Sequence, residues 1–263
     1  MILRTVCLIL FFGVLATCGQ SISKVEEAIE DQILYLGNGT EPQDLDPHIV
    51  TGVPEHKILL SLLEGLVVTH PAGKGHLPGV AKRWDVSKDG KEYIFYLNEK
   101  ARWSNGDTVT AYDFVYSWKR ILMPSTAAQY AYMLYVVKNA EAFNKGAIVD
   151  FSLVGVEAVD DLTLKVILNN STPYFLSLLS HYSTWPVHKQ TIESFGNIDS
   201  RGTPWTRPGN FVGNGPYTLE DWRLNDVIIV KKNPNYWNAE IVKINEIRFF
   251  ASDNRRGKRR FFR

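Results

Sequence analysis

The chain predicts a mixed α/β (α+β) fold, and two features carry that expectation. Apolar residues alternate between helix-type and strand-type periods from residue 33 to residue 250, and each change of period falls at a cluster of Gly, Pro, Asn or Asp. No low-complexity linker and no internal repeat divides the 263 residues, a length that buries a sizeable core.

The elements follow in order. Ser21 to Asp31 is polar and acidic with weak helical periodicity, and is expected to be a spacer. Ile33 to Leu36 is a short strand candidate, followed by a loop dense in turn residues through Leu45-Asp46-Pro47-His48. Pro54 suits the first turn of a helix whose Ile58, Leu59, Leu62 and Leu63 share a face, with Gly65 past its end and a strand at Leu66–Thr69. Ala81–Val86 and Glu92–Leu97 are extended pieces joined by a turn at Ser87-Lys88-Asp89-Gly90, where Asp-Gly supplies the positive φ of a tight hairpin. After a second turn at Trp103–Asp107, Thr110 and Asp113 form an acidic variant of the capping box. They open a helix whose apolar face is Phe114, Val115, Trp118, Ile121 and Leu122, and Pro124 stops it.

From Ser125 to Lys145 the Ala- and Tyr-rich composition predicts one helical stretch ended by Gly146. Leu162, Leu164, Val166 and Leu168 have the period of two of a half-buried strand, and Asp160-Asp161 reads as the turn leading into it. Thr172-Pro173 is expected to open a helix with Phe175, Leu178 and Leu179 inward. A further short helix is expected at Ile192–Phe195, before a long loop to Asn214. Tyr217–Trp222 and Val227–Lys232 form a hairpin by pattern, and Lys243–Phe250 is the last strand candidate.

Composition excludes several function classes. Residues 253–263 carry six Arg or Lys against one Asp, and without them the body stands at −4, which gives no reason to invoke nucleic acid. The only cysteines, Cys7 and Cys18, lie in the first twenty residues, so a mature chain has no disulfide framework. Arg4 and the apolar run Val6–Val14 have the form of a secretory signal over residues 1–18. Leu15-Ala16-Thr17-Cys18 resembles a bacterial lipobox with Thr in place of the usual small residue, which makes Cys18 the candidate lipidation site. The six histidines show no zinc-ligand spacing, no nucleophile elbow or dinucleotide loop occurs, and no acid–base pair can be assembled. No cofactor, no metal and no enzymatic activity are therefore expected. Among aromatics placed in loops, Tyr130, Trp185, Trp205, Tyr236 and Trp237 are the candidates for lining a wet cleft.

The run Trp103-Ser104-Asn105-Gly106-Asp107, Val109-Thr110-Ala111, Asp113-Phe114-Val115-Tyr116-Ser117-Trp118 resembles the signature of the family 5 extracellular solute-binding proteins, the oligopeptide-binding components of bacterial ABC importers. Gly-Val-Pro-Glu at 52–55, Gly-Asn-Gly-Pro-Tyr at 213–217 and Asn-Pro-Asn-Tyr-Trp at 233–237 extend the likeness over roughly Ile33–Phe250. The resemblance implies a type II periplasmic-binding-protein-like clamp, with one lobe from 22–63 and 189–252 and an inserted second domain at 64–188. The family's distal lobe has no counterpart here, 253–263 looks like a basic non-family tail, and a truncated or frame-shifted chain that binds peptide weakly or not at all is the expectation. By the same likeness Thr51, Gly52 and Val53 pair with a peptide main chain, Tyr130 matches a pocket tyrosine, and Asn214 and Tyr236 lie in motifs that line side-chain pockets. Implied partners are an oligopeptide and the inner-membrane permease subunits, with the protein exported to the periplasm or lipid-anchored through Cys18. Nickel chelates, haem, oligosaccharides, or a non-transporting receptor or adhesin role remain the alternatives.

Overall fold

The computed structural model describes residues 24–251. The signal-like stretch 1–18 with Cys18 and the basic stretch 253–263 lie outside the described residues. Helix α1 (Lys24–Asp31) precedes β1 (Ile33–Gly39), and α2 (Val53–Leu62) leads to a ribbon of β2 (Val67–Thr69) and β3 (His76–Pro78). Strands β4 (Ala81–Val86) and β5 (Glu92–Leu97) are followed by α3 (Ala111–Leu122), α4 (Ala140–Asn144), β6 (Val156–Asp160) and β7 (Thr163–Ile167). Helices α5 (Phe175–Leu179) and α6 (Lys189–Phe195) precede β8 (Tyr217–Arg223), β9 (Val227–Lys232) and β10 (Glu246–Ala251).

Two four-stranded sheets organise these pieces. One runs β1-β10-β9-β8, with β1 parallel to β10 and the other pairs antiparallel, so it joins the start of the described chain to its end. The other runs β4-β5-β7-β6, antiparallel throughout, and comes wholly from the middle. Alternation does what the period of two requires, since Tyr93, Phe95 and Leu97 of β5 and Leu164 and Val166 of β7 turn inward. Onto this face α3 lays Phe114, Trp118, Ile121 and Leu122, all fully buried. Its start is fixed as expected, with the Asp113 carboxylate accepting the Thr110 backbone N–H at 2.8 Å.

The stretch from Ser125 to Lys145 is not one helix. Single 3-10 turns at Pro124–Thr126 and Ala131–Leu134 precede the short α4, with Ala127 and Asn139 in the left-handed region. The reason is tertiary: Lys138 N–H donates to Ile167 O and Asn169 N–H to Val136 O, so the backbone that would continue a helix is paired to the end of β7 instead. Residues 24–31 are helical and pack against β1, with Ala28 buried, where a spacer was expected. Strands β3 and β6 carry no clear alternation and were not anticipated. The last strand begins at Glu246, later than the expected Lys243, and a 3-10 turn at Ala239–Ile241 precedes it. Helix α5 starts at Phe175, after Thr172 O has accepted the Phe175 N–H in a turn.

Candidate functional site

Residues 46–53 form a loop held from below. Arg120, buried inside α3, donates to both carboxylate oxygens of Asp46 at 2.8 and 2.6 Å, and to Ile198 O at 2.8 Å and Ser200 O at 3.2 Å. His48 Nδ1 lies 3.0 Å from the same guanidinium; burial, and then the Arg120 charge, pull its pKa down to about 3, so the ring is a neutral acceptor. Asp46 O then accepts the Val50 N–H at 3.0 Å, which turns the chain outward.

Above that anchor the loop's carbonyls are already engaged. Tyr182 donates its hydroxyl to Val50 O at 3.0 Å, Tyr130 to Thr51 O at 3.2 Å, and the His56 N–H takes Gly52 O at 3.1 Å. Among the described residues the amide N–H groups of Thr51, Gly52 and Val53 have no such partner, and Thr51 and Val53 are exposed. Gly52 lies close to the tip of Glu55, so that a Cβ would fall 1.9 Å from Glu55 Oε2 and push that side chain aside. Glu55 is buried, with one oxygen accepting the Gln43 N–H at 2.8 Å and the other without a partner.

Rings gather beside the loop. His181 stacks on His56 at 6.0 Å and meets Tyr130 edge-on at 5.0 Å, and Tyr132 adjoins Tyr130 at 6.1 Å. Ser183 N–H donates to His181 Nδ1 at 3.3 Å, which places the ring proton on Nε2. Burial, then the neighbouring His56, lower His181 to about 4, and burial alone lowers His56, so the cluster is uncharged at neutral pH.

At the other end of α2 a second node forms around Glu64. Its backbone N–H and C=O are both satisfied by the Asn214 side-chain amide, each at 2.9 Å. Its carboxylate accepts Tyr236 O–H at 2.6 Å and Trp237 Nε1–H at 2.7 Å. Burial nevertheless raises the Glu64 pKa to about 7, the two hydrogen bonds only partly offsetting it. Gly213 and Gly215 lie flat against this helix end, where Cβ atoms would fall 2.1 Å from Leu62 O and 2.5 Å from Leu62 C.

The structure thus brings Thr51, Gly52, Val53 and Tyr130 together at the N-terminus of α2, and Asn214 and Tyr236 together at its C-terminus around Glu64. A ten-residue helix, about 15 Å long, lies between the two groups. Trp185 and Trp205 are core residues, both almost wholly buried. Trp185 is held by Leu179 O, and Trp205 is stacked on Phe211. Glu55, Glu64, Tyr182 and the two histidines are what sequence reasoning missed. Only Glu64, a lone acid in the apolar run Leu62-Leu63-Glu64-Gly65-Leu66, left a visible signal. Among the described residues no three His, Cys, Asp or Glu side chains converge as metal ligands.

Comparison with known proteins adds a frame to this geometry. The family model described as bacterial extracellular solute-binding proteins, family 5 middle, matches residues 77–259. The chain is 46% identical over 228 residues to the periplasmic oligopeptide-binding protein OppA of Escherichia coli, covering 84% of this chain and 39% of that protein. Its fold superposes on Haemophilus influenzae OppA in complex with RPPGFSPFR with a TM-score of 0.81 and 40% identity, over 87% of this chain and 43% of the other. The unliganded open form of the periplasmic murein tripeptide-binding protein MppA gives 0.81 at 35% identity, over 88% and 43%. The chain therefore spans about two fifths of the length of the curated relatives it matches.

Proposed function

Because this chain belongs to the family 5 bacterial extracellular solute-binding proteins, we propose that it contributes one side of the ligand groove in the substrate-binding component of an ABC importer of oligopeptides. The observation that carries this reading is the Val50–Val53 loop, where the carbonyls of Val50, Thr51 and Gly52 are taken by Tyr182, Tyr130 and the start of α2 while, among the described residues, the amide donors of Thr51, Gly52 and Val53 have no partner. Such donors suit the carbonyls of an extended peptide, which are the same for every residue type, so affinity arises without selecting a side chain. Tyr130 acts here through its hydroxyl, fixing the loop, and with its ring, beside Tyr132 and His181, as an apolar wall for one ligand side chain. Asn214 and Tyr236 belong to the framework of the groove, through Glu64.

Residues 22–63 and 189–252 form the first lobe in this reading and 64–188 the second domain. The β1-β10-β9-β8 sheet, drawn from both ends of the described chain, supports that division, as does the separate β4-β5-β7-β6 sheet. The protein works in the periplasm beside its permease subunits, held to the membrane through Cys18 where that residue is lipidated. It carries out no bond-making.

Two measurements test the proposal. Cells carrying the gene should take up labelled tri- to pentapeptides and a deletion should not; equal uptake by both would sink it. Val53→Pro removes one unpartnered amide at a helix position where proline is tolerated. It should weaken peptide binding about fivefold, the worth of one hydrogen bond, with an unchanged melting temperature. Undiminished affinity in calorimetry would overturn the assignment of this loop.

A further inference from the structure

A cavity of about 230 Å³ opens beside Glu64, walled by Leu60, Leu63, Val68, Trp185 and Tyr236. That is below the roughly 300–1,000 Å³ of pockets that take whole drug-sized ligands. Leu60 and Thr69 at its rim are exposed, so the cavity has a mouth. At its inner wall the Glu64 carboxylate is more than nine-tenths buried and already oriented by Tyr236 and Trp237. Among the described residues no Lys, Arg or His forms an ion pair with it or acts on it through its charge, and Tyr236 is the one titratable side chain in contact with it. A buried acid with no counter-charge, at the end of a short, mostly apolar channel with an aromatic wall, is complementary to one ligand chemistry.

We propose that this cavity is a binding site for a primary alkylammonium group, the alkyl chain lying along Leu60, Leu63 and Val68 and the ammonium paired with Glu64. Each carboxylate oxygen accepts one protein donor and keeps a lone pair for the incoming N–H. Ser180 on the same wall offers a hydroxyl acceptor for another. Trp185 and Tyr236 add aromatic surface to the same wall. The ammonium supplies the charge that burial denies Glu64, so binding and loss of the Glu64 proton are coupled. The site lies at the opposite end of α2 from the Thr51–Val53 loop and does not depend on what that loop holds.

The test uses the 263-residue chain, ¹⁵N-labelled, with n-butylammonium chloride as the probe and the Trp237 indole N–H resonance, assigned with Trp237→Phe, as the readout. A saturable shift is expected at pH 8. Because Glu64 titrates at about 7, its carboxylate fraction is roughly 30-fold lower at pH 5.5, and affinity should fall by about that factor. n-Butanol should give no saturable shift, and Glu64→Gln should abolish the response. Thr69→Trp, which narrows the mouth from an exposed rim position, should weaken it without changing the fold, and stands as the deciding variant if Glu64→Gln does not fold. No saturable shift at pH 8, an equal shift with n-butanol, or undiminished binding in the folded variants would overturn the proposal. Acetylated and amidated Ala-Lys-Ala, against the norleucine analogue, separates the two sources of such a group. A response to the lysine peptide adds cargo side chains to the ligands, and a response to n-butylammonium alone assigns the cavity to free amines.

Discussion

Arg120 carries no exposed surface, yet it is among the most connected side chains in the protein, with two carboxylate oxygens, two carbonyls and a histidine nitrogen around one guanidinium. Although burial pushes the Asp46 carboxyl upward, the Arg120 charge and hydrogen bonds outweigh it and hold Asp46 below the usual range. Removing the cation leaves Asp46 buried and unpaired, so Arg120→Ala should cost about 3–5 kcal/mol in urea unfolding. Glu64 behaves in the opposite sense. Its folded pKa of about 7 lies above the ordinary 4.5, so its contribution is fully present below pH 4.5 and is lost as pH rises through 7. Glu64 should therefore contribute a gain on the order of 3 kcal/mol from pH 8 down to pH 4.5, set against the loss that the buried neutral His48 and His181 bring below pH 6.5. The Glu64 share is the difference between the wild-type and Glu64→Gln profiles, and parallel profiles would show that Glu64 is not a titrating group.

At the scale of elements, the end of α2 is defined by backbone against backbone. Leu62 O accepts the Gly215 N–H at 3.0 Å, and the two glycines allow the loop to approach so closely. A methyl at position 215 would meet Leu62 C at 2.5 Å and Leu63 N at 2.6 Å, neither of which can rotate away. Gly215→Ala should destabilise by about 3 kcal/mol, the upper range for overpacking, and should displace Asn214 from Glu64. Thermal melting checks the first effect, and loss of the pH slope assigned to Glu64 checks the second. Gly52→Ala differs, because the atom in the way is the tip of the Glu55 side chain. It should lower peptide affinity by moving the loop while changing stability little.

Across the whole molecule, the β1-β10-β9-β8 sheet closes only when residues far apart in sequence meet: Ile33 pairs with Glu246 and Leu36 with Phe249. Phe249 and Ile247 are buried there, so β10 is stabilised by the packing that β1 completes. Deleting residues 24–39 should leave β10 with an unpaired apolar edge and convert a single unfolding transition into aggregation. Light scattering during refolding reads that directly, and a soluble, cooperatively melting deletion would show that the sheet does not need β1. The β4-β5-β7-β6 sheet is spared this dependence, since its strands and α3 come from one continuous stretch.

What the sequence alone determined was local. The capping pair Thr110 and Asp113, the Asp89-Gly90 turn, the alternation in β5 and β7 and the apolar face of α3 each need only neighbours a few residues away, and so does the signature that placed the chain in its family. Tertiary structure decided where long-range hydrogen bonds compete with local preference. Pairing with β7 broke the helix expected at 125–145, and β6 formed by ladder bonds that its irregular pattern did not advertise. The two ends of α2 acquired their chemistry in the same way. Tyr182 and Tyr130 reach loop carbonyls 132 and 79 residues away, and Asn214 and Tyr236 reach Glu64 across 150 and 172. No period or spacing encodes such contacts, because a side chain's partner is fixed by how the elements pack and not by the residues beside it in the chain.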